Sequence, residues 1–141
     1  MTLNLAVSNI RDIPPVPAHR SATAQQAVYE AVEFLRSSWK FSGSTLAKLL
    51  HVPANTVNLW ISKKRIPVGA PPFDPRAEAL LNLLAIHRSL HAMFSESANQ
   101  LAWLKTRHPE LGFVPLEKIQ ESINGLFLVR QYLDYVRGRG A

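Results

Sequence analysis

Two histidines one helical turn apart, His87 and His91, are the first residues here whose types and spacing have a chemistry. An HxxxH pair can hold a metal from one helix face, but it needs a further ligand, and the glutamate of a zinc hydrolase is missing. The chain contains no cysteine, which excludes disulfides and thiolate metal sites. Its closest carboxylate pairs, Glu30/Glu33 and Glu117/Glu121, have the spacing of solvated helix faces. No glycine-rich loop is placed to cradle a phosphate. These residues predict a protein that is not an enzyme and that uses no metal or cofactor. The histidines are then structural or interfacial.

A second set of residues has a binding chemistry. In "HVPANTVNLWISKKR", Val57, Trp60 and Ile61 form an apolar triad at helical spacing, leaving Ala54, Asn55, Asn58, Leu59 and Ser62 on the opposite face. Asn55 and Asn58 suit the paired donor and acceptor of adenine. Thr56 is placed to cap the helix or touch a phosphate, and Lys63, Lys64 and Arg65 to hold a nucleic-acid backbone. No arginine occupies that face, so the commonest contact to guanine is absent. Charge points the same way. Of the net +6, residues 1–73 carry +5 and residues 74–141 only +1. A basic half suits a polyanion and a near-neutral half suits protein.

The elements that must position these residues are helical. Pro14, Pro15 and Pro17 make residues 1–22 a loose arm. A helix is expected from about Ala24 to Trp39, capped by Ser21 or Thr23, with Ala27, Val28, Ala31, Phe34 and Leu35 as its apolar face. Two short helices follow, joined at His51–Pro53, with Pro53 at the first helical position of the second. "RIPVGAPPF" breaks the chain, and Asp74-Pro75 starts a long helix reaching about Phe94. Ser95 should cap the next helix, which Pro109 and Gly112 end. Pro115 opens a short one, and Asn124-Gly125 separates it from the last. No alternating strand pattern and no internal repeat is present. The fold predicted is all-α.

Two of these helices carry more apolar surface than a small hairpin can cover. The long one places Leu80, Leu84, His87 and His91 on a wide stripe, predicted to be a two-fold dimer interface. The last one places Leu126, Val129, Leu133 and Val136 on one side. Leu128, Tyr132 and Tyr135 adjoin that side, while Arg130, Gln131, Asp134 and Arg137 face away. Tyrosines at an edge favour a protein partner, because they tolerate one wet end.

"STLAKLLHVPANTVNLWISKKRIP" resembles the Xre/Cro family of helix-turn-helix domains. Leu46, Ala47 and Leu50 stand on the first helix, Val52 in the turn, and the Val57–Trp60–Ile61 triad on the second. His51 occupies a position that is usually glycine. His tolerates a positive φ better than most residues. Residues 74–141 resemble the toxin-binding domain of the MbcA/ParS/Xre antitoxins, through Trp103-Leu104, Leu111-Gly112, Pro115-Leu116, Gly125-Leu126, Val129 and Tyr132-Leu133. Val114 replaces a threonine common before Pro115.

The resemblance implies an antitoxin that neutralises an NAD⁺-consuming RES-domain toxin and represses its own operon by binding operator DNA. It divides the chain into an arm (1–22), a helix-turn-helix domain (23–67), a linker (68–73) and a toxin-binding and dimerisation domain (74–141). It also gives the ending "VRGRGA" a role. The family's C-terminus reaches towards the toxin's active site, so Arg137 or Arg139 would enter that site on a glycine-flanked tail. Leu128, Tyr132 and Tyr135 would supply the docking face. The alternative is a plain transcriptional repressor whose second unit dimerises or senses a ligand. The expected location is the cytoplasm: the N-terminus has no signal-peptide pattern, and "ALLNLLAI" is too short to span a bilayer.

Overall fold

The structure is a computed structural model and describes residues 18–66 and 75–140, with side chains omitted at 18–23, 75–77, 139 and 140. The described residues form α1 (Ala18–Trp39), α2 (Gly43–Leu50), α3 (Ala54–Lys63), α4 (Pro75–Met93), α5 (Ser97–Lys105), α6 (Pro115–Glu121) and α7 (Ile123–Gly140). The protein is all-α. Most of the proposed arm, the linker and the Asp74 cap lie outside the described residues.

The first three helices end in the same way. Lys40, His51 and Lys64 adopt a left-handed conformation with φ of 56°, 58° and 54°. After each, the next amide reaches back five residues: Phe41 to Arg36, Val52 to Ala47 and Arg65 to Trp60. Glycine normally holds this position, because a Cβ there costs roughly 1–2 kcal/mol. The chain accepts that cost three times. The expectation for His51 holds.

Packing unites the two sequence units. Val32, Leu35 and Trp39 of α1 and Leu46, Leu49 and Leu50 of α2 belong to one buried cluster with Leu80, Leu83, Ile86 and Leu90 of α4 and Leu126, Val129 and Leu133 of α7. Polar contacts cross the same boundary. Trp39 Nε1 donates to Gln100 Oε1 at 2.8 Å, and the hydroxyls of Ser38 and Ser97 meet at 2.8 Å. His51 Nε2 donates to the Ile119 carbonyl at 2.7 Å. That carbonyl is in the last turn of α6, where helix geometry leaves it without an intrahelical donor.

Helices α4 and α7 run side by side in the same direction. Arg130 Nη1 donates to Asn82 Oδ1 at 2.9 Å, and two turns on Arg137 Nη1 donates to Ser89 Oγ at 3.2 Å. Asn82 and Ser89 are buried, so each arginine satisfies a group that would otherwise lose its hydrogen bond.

Several boundaries differ from the sequence expectation. Helix α1 already runs at Ala18, so residues 18–22 are helical and neither Ser21 nor Thr23 is its cap. Pro53 is the N-cap of α3, with ψ of 147°, rather than its first residue. Glu96, not Ser95, precedes α5, which ends at Lys105, well before Pro109. There the Thr106 hydroxyl bonds back to the Ala102 carbonyl at 2.6 Å, the local competition that threonine offers a helix. The break before α7 falls at Ser122, whose Oγ accepts from Gly125 N at 3.1 Å. Asn124 and Gly125 therefore sit inside the first turn of α7.

Candidate functional site

Three surfaces carry the residues singled out by their chemistry. On the α2–α3 hairpin, Leu46, Ala47, Val52, Val57 and Trp60 are buried. Gly43 lies at the crossing, where an added Cβ would make only ordinary contacts, 3.6 Å from Asn58 Oδ1 and 3.7 Å from Ile61 Cδ1, so the crossing does not depend on glycine there. Ala54, Asn55, Asn58, Leu59, Ser62, Lys63, Lys64 and Arg65 are exposed, and Thr56 is half-buried. Leu59 is 51% exposed, a large apolar group standing among polar ones. Asn58 lies beside the start of α2, whereas Asn55 is one turn nearer the open end. Sequence reading did not single out Ser44 and Lys48. With Gln120 of α6 and Ala54 of α3 they line a groove of about 500 Å³.

The second surface is one edge of α7. Leu128 and Tyr135 are 38% and 59% exposed, and Tyr132 between them is half-buried. Tyr132 is backed by a short aromatic ladder. Its ring stacks on Trp103 at 6.4 Å, 21° from parallel, and Trp103 meets the His108 ring at 4.6 Å. His108 is fixed in turn, because its Nε2 donates to the Trp103 carbonyl at 2.8 Å. The tyrosine is thus pre-positioned, which lowers the entropy lost when a side chain is immobilised by a partner. Phe127 and Ile123, 48% and 38% exposed, add a second apolar edge that the sequence analysis did not mark. Arg137 does not simply face away, since it is bonded to Ser89. The tail is also different from a free stub. Helix α7 continues through Gly138 to Gly140, and the Arg139 side chain lies outside the described ones.

The third surface is the stripe of α4. Leu80 is completely buried within its own chain, packed in the core cluster, so it has no surface to offer a second copy. Its place in an intermolecular contact is corrected accordingly. Leu84 is half-buried and His91 exposed. His87 is 6% exposed and its Nε2 is buried without a hydrogen-bond partner. Its ring sits edge-on to Trp39 at 4.8 Å and to Phe34 at 5.5 Å. Gln100 Nε2 donates to the Phe94 carbonyl at 2.8 Å and to His91 Nδ1 at 3.2 Å, locking that end of α4 against α5. Gln100 is fully buried, and nothing in its local sequence marked it. No group of three or more His, Cys, Asp or Glu is placed to hold a metal ion among the described residues.

Burial, aided by the neighbouring His91, pushes the His87 pKa from 6.5 down to about 4. The unfolded chain takes up this proton near pH 6.5 and the folded chain only near 4. Stability from a neutral His87 is therefore complete above 6.5 and drains away as pH falls through that window. The loss should reach on the order of 2 kcal/mol by about pH 4.5. His87→Phe, which cannot take up the proton, should remove this part of the acid sensitivity. Urea unfolding of both proteins at neutral pH and about pH 4.5 measures it. Equal acid losses in the two would overturn the assignment.

The described residues thus form a helical fold that carries a basic α2–α3 hairpin and an exposed, aromatic-backed edge on α7. Residues 89–139 match the family model of the antitoxin Xre/MbcA/ParS C-terminal toxin-binding domain. No curated protein matches the chain. The matched segment contains the last turn of α4, all of α5 and α6 and nearly all of α7, including Trp103, His108, Leu128, Tyr132 and Tyr135. Its similarity to that family supports an antitoxin-type, toxin-binding role for this part of the chain. Among the described residues, no helix is long and apolar enough to cross a membrane.

Proposed function

We propose that this protein is the antitoxin of a toxin–antitoxin pair, that its toxin is an NAD⁺-consuming RES-domain enzyme, and that it represses its own operon through the α2–α3 hairpin. One observation carries the reading: the segment similar to antitoxin toxin-binding domains coincides with the exposed edge of α7 built on Tyr132. Leu128, Tyr132 and Tyr135 dock on the toxin, and the end of α7 with Arg137 and Arg139 obstructs the NAD⁺ site. An arginine there pairs with acidic catalytic groups through charge-assisted hydrogen bonds. A second copy of the chain completes a two-fold repressor in the cytoplasm. Co-expression with the neighbouring open reading frame tests the pairing: a RES-type product should co-purify, and cellular NAD⁺ should fall when the antitoxin is withdrawn. Failure of such a product to co-purify would overturn it.

Exposure of Asn55, Asn58, Lys63 and Lys64 around buried Val57 and Trp60 and half-buried Ile61 supports the DNA role. Asn55→Ala should relax the preference at one base pair by about 1–3 kcal/mol. Asn58→Ala should act in the same direction, and less, because its amide rests beside α2. Lys63→Ala or Lys64→Ala should weaken binding to every sequence and flatten the salt dependence. Gel shifts on the upstream promoter region read both effects. No retardation at low salt, with or without toxin, would rule the role out.

A further inference from the structure

We infer that the face between α1 and α4 is where a second copy of this chain docks, with Phe34 as the inserting side chain and Glu30 pairing with Arg88 across the two-fold axis. The inference deepens the dimer reading above and rests on it. Phe34 is 58% exposed, the most exposed phenylalanine among the described residues. Beside it lies a groove of about 350 Å³ lined by Ala31, Phe34, Leu84, His87, Arg88 and His91. Knob and hole thus occupy one patch, the arrangement that an isologous contact requires, since each copy must present both.

Charge narrows the occupant further. Glu30 precedes Phe34 by one turn and is exposed on α1, and Arg88 is exposed on α4. Neither makes an ion pair or side-chain hydrogen bond among the described residues. They stand on the two helices flanking an apolar centre, one acidic and one basic. A two-fold axis through that centre brings the acid of each copy to the base of the other. A neutral, self-complementary patch on a chain of net charge +6 does not suit a polyanion, and it suits a copy of itself. Leu81, 49% exposed one turn before Leu84, extends the apolar area. No residue of this face belongs to the docking edge of α7, so a dimer formed here leaves that edge open.

Sedimentation velocity on the full chain tests the inference. The wild type should be a dimer at micromolar concentration. Phe34→Ser should raise the dimer dissociation constant at least about thirtyfold, the loss typical of a central anchor. Helicity should be kept, because the ring is mostly exposed. Glu30→Arg and Arg88→Glu should each weaken the dimer by placing like charges together, and the double variant Glu30→Arg/Arg88→Glu should restore it. Restoration is the signature that folding defects do not imitate. Single variants as dimeric as the wild type, or a double variant that stays monomeric, would overturn this face while leaving the dimer reading intact. A monomeric wild type would overturn both.

Discussion

Gly125→Ala should destabilise the protein by about 3 kcal/mol, at the upper end of what overpacking costs. A Cβ at this position would lie 1.9 Å from the Lys118 carbonyl oxygen and 2.7 Å from its carbon. Both atoms are backbone, so no rotamer change relieves the clash. Helix α6 would have to withdraw from α7. That withdrawal would disturb Ile119, Leu126 and Val129, all buried in the core, and pull the Ile119 carbonyl from His51. Gly138→Ala is the matched control. It lies in the same helix with nothing within 4 Å of an added Cβ, so it should be neutral or stabilise by about 0.5–1 kcal/mol. Denaturant unfolding of the two variants gives the comparison. Equal stabilities would show that α6 and α7 do not meet as closely as the structure has them.

Gly125 also shows what a sequence discloses and what it withholds. It reads naturally as the turn before the last helix, because Asn-Gly is a turn signal. The structure puts it within that helix, and its glycine is required by a neighbouring helix rather than by a turn. Local period and punctuation were legible. The inward set Leu46, Ala47, Leu50, Val57 and Trp60 follows from spacing, as do Leu126, Val129 and Leu133 on α7. The left-handed turn at His51 came instead from the resemblance to helix-turn-helix domains, in which that position is usually glycine. Long-range partners were not legible. Gln100 is a polar residue in an ordinary helix until Trp39, 61 positions away, places its indole on it. Arg130 and Arg137 look like a solvated face, yet both bond to polar groups on α4, 48 residues earlier. Phe127 was lost among neighbouring apolar residues, since a helix carrying so many gives no sequence signal of which edge stays uncovered.

The largest functional effect is expected at Tyr132. On the docking reading, Tyr132→Ala removes the central ring of an edge whose outer members, Leu128 and Tyr135, are already exposed. It also leaves Trp103 without its stacking partner. Truncating a buried aromatic anchor typically costs about 2 kcal/mol or more, a loss of roughly thirtyfold in affinity for the toxin. The end of α7 should behave differently. Because the helix continues to Gly140, residue 139 follows Tyr135 by one turn along the same helix. Removing residues 138–141 therefore leaves Leu128, Tyr132 and Tyr135 in place, and toxin should still be captured. Neutralisation should fail, because nothing then reaches the NAD⁺ site. Arg139→Ala should fall between the two, while Arg137→Ala should also lower stability by freeing the buried Ser89 hydroxyl from its partner. Pull-down of each variant alongside toxin-dependent loss of cellular NAD⁺ separates capture from neutralisation. Full protection by the truncated protein would assign neutralisation to the docking edge alone. Gly138→Ala decides how the end works: a helix that enters the site as a rigid rod should neutralise as well as the wild type, whereas an end that must unwind at Gly138 to enter should lose protection as the helix is strengthened.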